Sequence, residues 1–117
     1  MTSTVPLVLL PRYSTLAGAS TFSTTAVRVD DYDEAQVFVW RGLLAATCTF
    51  RITLQDSMDQ QLWTDLFMGD PGAETEATYT VPLTRLWFRA QVVLGGTPPA
   101  FPSVSCYALG FLVSRRK

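Results

Sequence analysis

Polar and apolar residues alternate most cleanly over "ATCTFRITLQ" (46–55), where Cys48, Phe50, Ile52 and Leu54 interleave with Thr47, Thr49, Arg51, Thr53 and Gln55. A period of two with one wet face predicts a half-buried β-strand. "RLWFRAQVVL" (85–94) repeats the pattern, with Leu86, Phe88, Ala90, Val92 and Leu94 on one face and Arg85, Trp87, Arg89 and Gln91 on the other. Further strands are predicted around 5–10, 21–29, 35–41, 61–67, 75–81 and 104–114. β-branched and aromatic residues carry them, and helix signals are poor throughout. The connections are short and rich in turn formers: "DDYDE" (30–34), "DSMDQ" (56–60), "GDPGAE" (69–74) and "GGTPPAFP" (95–102).

About eight short strands in 117 residues predict one all-β domain, an antiparallel β-sandwich. Trp63 and Cys106 stand at the wrong distances from Cys48 for an immunoglobulin domain, so jelly-roll connectivity is the better expectation. An extended amino-terminal arm (about 1–12) and a short basic tail (114–117) flank the sandwich in this reading. The stretch "LQDSMDQQLWTDL" (54–66) is then a hairpin. Asp56 and Asp59 serve its turn, while Leu62, Trp63 and Leu66 return apolar weight to the core.

Composition changes the picture in one respect. Charged residues make up only 16% of the chain, against a usual ~25%. The mean hydropathy is positive. Eight Arg stand against a single Lys, the terminal residue, and Arg is the cation favoured at interfaces while Lys is depleted there. A surface largely covered by neighbours is the sharper reading of this bias. The net charge of −1 gives no footprint for nucleic acid, and the apolar run "VPLVLLP" (5–11) is too short to span a membrane. Nothing marks export, so Cys48 and Cys106 are expected as buried free thiols in a reducing cytosol.

The chain has no histidine, which removes imidazole-based nucleophilic and acid–base catalysis and, with only two cysteines, a structural zinc site. No phosphate-cradling glycine loop is present. Asp56 and Asp59 on a turn tip are poorly placed to act as a catalytic carboxylate pair. The acidic turn 30–34 lacks a recognised calcium-ligand spacing. No enzyme activity, cofactor or metal is therefore expected. What the sequence offers instead is contact: Arg85, Trp87 and Arg89 set a ring between two cations, and Trp and Arg lead hot-spot statistics. The apolar arm residues Val5, Leu7 and Leu9 suit strand addition to a neighbour. Arg115 and Arg116 suit an acidic groove. These eight residues are the expected interface.

The string "FRITLQDSMDQQLWTDL" (50–66) resembles the strand–turn–strand of small jelly-roll virion proteins of tailed bacteriophages, with Gln55, Ser57, Asp59, Trp63 and Leu66 at the matching positions. "RLWFRAQVVLGGTPP" (85–99) and the closing "CYALGFLVSRR" (106–116) agree with it in shape. The resemblance is most like capsid decoration (cement) proteins. It implies a non-enzymatic protein that binds the major capsid protein on the capsid exterior, is made in the host cytoplasm, and self-associates as a trimer. Neither nucleic acid nor membrane is an expected partner. Similar strings also occur in sugar-binding sandwiches, which leaves a carbohydrate-binding module of a phage tail or fibre as the alternative.

Overall fold

The computed structural model describes residues 3–45, 47–96 and 102–114. Nine strands run through them in chain order: β1 (Ser3–Ala17), β2 (Ser20–Ser23), β3 (Val27–Arg28), β4 (Glu34–Arg41), β5 (Thr49–Ser57), β6 (Thr64–Gly69), β7 (Thr75–Pro82), β8 (Trp87–Gly95) and β9 (Ser103–Ser114). They form two antiparallel sheets. Sheet A has the order β1-β9-β4-β7 and sheet B the order β2-β8-β5-β6, with β3 also on β8.

β2 and β3 are two pieces of one interrupted strand. Both pair with β8, and the break between them is bridged at Thr24. Its N–H donates to the Ala90 carbonyl, and its Oγ1 accepts from the Ala90 N–H, both at 2.9 Å. Counted as one strand, they leave eight in the orders 1-8-3-6 and 2-7-4-5. That is the jelly roll of two Greek keys. Chain connections cross between the sheets everywhere except at β5–β6, the one same-sheet hairpin among the described residues.

The period-two faces fold as their pattern dictates. Phe50, Ile52 and Leu54 of β5 and Phe88, Ala90, Val92 and Leu94 of β8 are buried and meet Val37, Val39, Leu112 and Cys106 of the opposite sheet. One flank of the sandwich is closed by Phe67 of β6 stacked on Tyr79 of β7, with ring centroids 4.1 Å apart. Beside it Arg41 of β4 makes a two-pronged contact with Asp70, just past β6, at 2.7 and 3.0 Å. The two sheets are thus tied by an aromatic stack and an ion pair. β9 lies between β1 and β4, and its Gly110 is so close to β4 that a Cβ there would stand 1.9 Å from the Gln36 carbonyl oxygen.

Three placements differ from the sequence reading. The segment set apart as an arm is the outer strand of sheet A, paired with β9 from Ser3↔Ser114 to Ala17↔Ser103. The alternation of Val5, Leu7 and Leu9 carries those side chains inward, and register shifts at Val8/Leu10 and Leu10/Ser14 carry the strand past Pro11. β5 runs on through Ser57, so Asp56 belongs to a strand and not to the turn. Cys48 sits half-exposed in the turn ahead of β5, its N–H bonded to the Ala45 carbonyl at 2.9 Å, while Cys106 alone of the two free thiols is fully buried.

Candidate interaction surfaces

Side chains at alternate positions of each sheet face away from the core, and these outer faces carry the chemistry. On sheet B, Trp87 and Arg89 of β8 project outward. Arg28 on neighbouring β3 lies 5.5 Å from the Trp87 ring centre, and Arg89 lies 4.1 Å over the ring of Trp63. Arg89 Nε donates to Gln55 Oε1 at 2.9 Å, and Gln55 Nε2 donates to Asp65 at 2.8 Å. The network covers the later part of β5, so that Gln55 is only 7% exposed although its strand pattern marks a wet face. Removal from water also holds the Arg89 guanidinium below its usual pKa. Trp63, expected as core filler, is a cover on this outer face, and Leu62 beside it is 80% exposed.

Arg85 does not join the platform. It precedes β8 and turns to the end of the sandwich, where its Nη1 donates at 2.7 Å to Asp56 Oδ1. Asp56 is fully buried, and its Oδ2 has no hydrogen-bond partner. This is an ion pair between a buried carboxylate and a part-exposed guanidinium, not an acid pair with Asp59: that residue caps the turn. Ser57 Oγ accepts from the backbone N–H groups of Asp59 and Gln60, and Asp59 Oδ1 accepts from those of Gln61 and Leu62, at 2.8–3.1 Å. The N–H bonds from Gln61 and Leu62 hold the Asp59 carboxyl below its ordinary pKa.

The outer face of sheet A is the surface that sequence reasoning missed. Phe38 and Trp40 of β4, Tyr107, Leu109 and Phe111 of β9, and Val8 of β1 stand side by side across three neighbouring strands. Val8 is 57% and Phe111 42% exposed. Phe38 meets Phe111 edge-to-face at 6.2 Å, and Trp40 stacks on Tyr107 at 5.8 Å. Arg12 lies 4.7 Å over the Tyr107 ring, and the Tyr107 hydroxyl donates to Glu76. That bond to a carboxylate, reinforced by burial, raises the phenol's pKa above its ordinary value. A hollow of about 300 Å³ opens among Arg12, Phe38, Glu76, Leu109 and Phe111. A signal for this face exists: "VFVW" and "CYALGFLV" are apolar at both parities, which marks strands with two apolar faces.

Of the eight residues expected at an interface, Trp87 and Arg89 share one outer face and Arg85 stands apart at the sandwich end. Val5 is half-buried against the core, and Leu7 and Leu9, 3% and 8% exposed, are inside it. Arg115 and Arg116 lie outside the described residues. Among the described residues no cluster of three or more potential metal ligands exists.

The sequence matches no protein-family model and no curated protein. Solved structures do resemble it. The VP2 protein of infectious bursal disease virus, in a subviral particle, superposes over 97% of this chain with a TM-score of 0.67 and 9% identity. The structure of the Gx strain of that virus gives 0.66 at 7% identity over 97%, and the Gt strain 0.56 at 11% over 97%. This chain spans about a third of the length of those chains, 32% to 33%. At such identities the likeness is one of fold: this chain shares a jelly-roll β-sandwich with a third of each of those chains.

Proposed function

We propose that this chain is a non-enzymatic structural protein of a virus particle, working by protein–protein contact. In its finer form, the reading is a decoration protein of a tailed-bacteriophage capsid. It binds the major capsid protein on the capsid exterior, is made in the host cytoplasm, and self-associates as a trimer. The observation that carries the proposal is the apolar outer face of sheet A on a capsid-type jelly roll. Val8, Phe38, Leu109 and Phe111 form a contiguous apolar surface that the other described residues leave uncovered. Surfaces of that kind mark protein contacts. The low charge content and the Arg bias point the same way.

The sugar-binding alternative is weaker on the geometry. A sugar needs the open faces of aromatic rings, and a guanidinium stands over one face of Trp87 and of Trp63. The test is sedimentation of purified empty shells mixed with the protein. Saturable binding at a fixed ratio to the major capsid protein, weakened by Phe111→Asp and by Trp87→Ala, supports decoration. Absence of binding to shells together with saturable binding to a glycan array would overturn it.

A further inference from the structure

Strands β1 and β7 bound sheet A, and β2 and β6 bound sheet B. An edge strand leaves one row of N–H and C=O groups unpaired, and proline, charge and bulges are the devices that keep such a row from pairing with another chain. Three of these edges carry them. β1 has Pro6, Pro11 and two register shifts. β7 has Glu76 and ends at Pro82. β6 has Asp65 and a register shift against β5, and the Phe67–Tyr79 stack ties it to the opposite sheet. The β2 edge has neither proline nor charge from Ser20 to Val27. Ser20, Thr21 and Ser23 are exposed, and Phe22 packs on the core yet stays half-buried, with no described strand beyond it. The unguarded stretch is short. Gly18, at a φ of 98°, precedes it. From the Ser23–Gln91 pair to the Val27–Phe88 pair the edge takes four steps and β8 three, which is a bulge.

The ladder fixes which backbone groups are free. Thr24 N–H donates to the Ala90 carbonyl, so Phe22 and Ser20, in step with it, turn their N–H and C=O groups toward β8. Those of Thr21 and Ser23 point the other way, into solvent. The Thr21 and Ser23 side chains stand on the outer face of the sheet, where Gln91 Nε2 donates to Ser23 Oγ at 3.1 Å, and the Phe22 ring lies on the core side. We propose that β2 pairs with β2 of a second copy, antiparallel about a two-fold axis at Phe22. Thr21 of each copy then stands opposite Ser23 of the other, and their outward N–H and C=O groups bond reciprocally on either side of the axis. The strand itself names the occupant. Thr21, Phe22 and Ser23 read hydroxyl, ring, hydroxyl in both directions, so an antiparallel copy sets hydroxyl against hydroxyl and ring against ring, with no charge opposing charge. The contact is isologous and closes at two copies. A ladder of four residues buries well under the ~1,200 Å² of a stable pair, so it is weak in free solution and acts where copies are concentrated. A two-fold contact cannot close a trimer, so this one is separate from the self-association proposed above.

Register-specific cross-linking of the full chain tests it without shells. Thr21→Cys and Ser23→Cys, both exposed positions, are each made in a Cys48→Ser background and mixed at about 1 mM, where weak contacts populate, in a buffer of reduced and oxidised glutathione. In the proposed register the two new thiols of a mixed pair sit on residues about 5.5 Å apart, within reach of a disulfide. Like residues of two copies stand about 7–8 Å apart, past the ~7 Å limit. The mixed disulfide dimer is therefore expected to exceed each self-linked dimer about tenfold. Adding Thr21→Pro to the Ser23→Cys protein removes an N–H that points away from β8 and leaves the intramolecular ladder whole, so the variant should melt as its parent does and lose that excess. If proline unfolds the chain, the unmodified mixture still decides. Products in the proportions of random collision, or an excess that survives Thr21→Pro in the folded protein, overturn the inference. So does the absence of any disulfide dimer, which is the outcome if the strand of another protein takes this edge.

Discussion

Asp56 and Arg85 are an unequal pair: the carboxylate has no exposed surface, whereas 37% of the Arg85 side chain reaches solvent across the 2.7 Å contact. Removing either partner therefore has different consequences. Arg85→Ala leaves a buried carboxylate without its counter-charge, which typically costs about 3–5 kcal/mol. Asp56→Ala leaves a cation that can swing into water, so its loss should be smaller, about 1–3 kcal/mol. The double variant should be more stable than Arg85→Ala alone. Urea denaturation of the three proteins reads the order directly, and equal losses from both single variants would contradict it.

Gly110 is fixed by packing in the same sense. β9 is held by β1 on one side and β4 on the other, so neither strand can retreat from a Cβ placed 1.9 Å from the Gln36 oxygen. Gly110→Ala should cost at least the ~1–3 kcal/mol of an overpacked core. Gly18→Ala, where nothing lies within 4 Å, is strained instead by its φ of +98°. Its loss should be the smaller one. Thermal melts of the two variants compare them, and a Gly110→Ala melting point equal to the wild type's would refute the close approach.

How far the sequence could be read follows from which interactions are local. Period-two patterning located β5 and β8, and β-branched and aromatic runs between turn formers located the other strands. Pro11 hid the length of β1: proline is a strand breaker in the interior of a sheet, yet an edge strand with bulges accommodates it. The burial of Asp56 was illegible because its partner stands 29 positions away. A strand end misplaced by two residues turned a buried, ion-paired carboxylate into a turn residue. The outer face of sheet A went unread because aromatic residues at both parities look like a generic apolar strand until the second layer is known to lie on one side only.

The two cysteines should separate by reactivity. Burial raises the Cys106 thiol to a pKa of about 11, so at pH 8 it is neither accessible nor ionised. Cys48 is half-exposed in its turn. Alkylation of the native protein at pH 8, followed by mass spectrometry, should label Cys48 alone, and denaturation should add the second label. Rapid labelling of both thiols in the native state would contradict the burial of Cys106.

The pH dependence of stability should be flat through neutrality and fall in acid. With no histidine, no side chain has an ordinary pKa between about 5 and 8. The carboxylates that matter are Asp70, lowered mainly by its hydrogen bond from Arg41, and Asp59, lowered mainly by the N–H of Gln61. A carboxyl whose pKa is lower folded than unfolded contributes stability above its unfolded value, here 3.8, and loses it as pH falls through the folded value. Both groups are substantially exposed, so solvent screening keeps each contribution small. Melting temperatures should therefore change little from pH 8 to pH 5 and drop below about pH 4. Asp70→Asn should melt lower than the wild type at pH 7 and converge with it as pH falls through the folded value, because the wild-type carboxyl is then neutral too. A gap between the two proteins that persists undiminished to pH 2 would show that Asp70 acts through its hydrogen-bonding shape and not through its charge. The Arg41 contact would then be a geometric tie between the sheets.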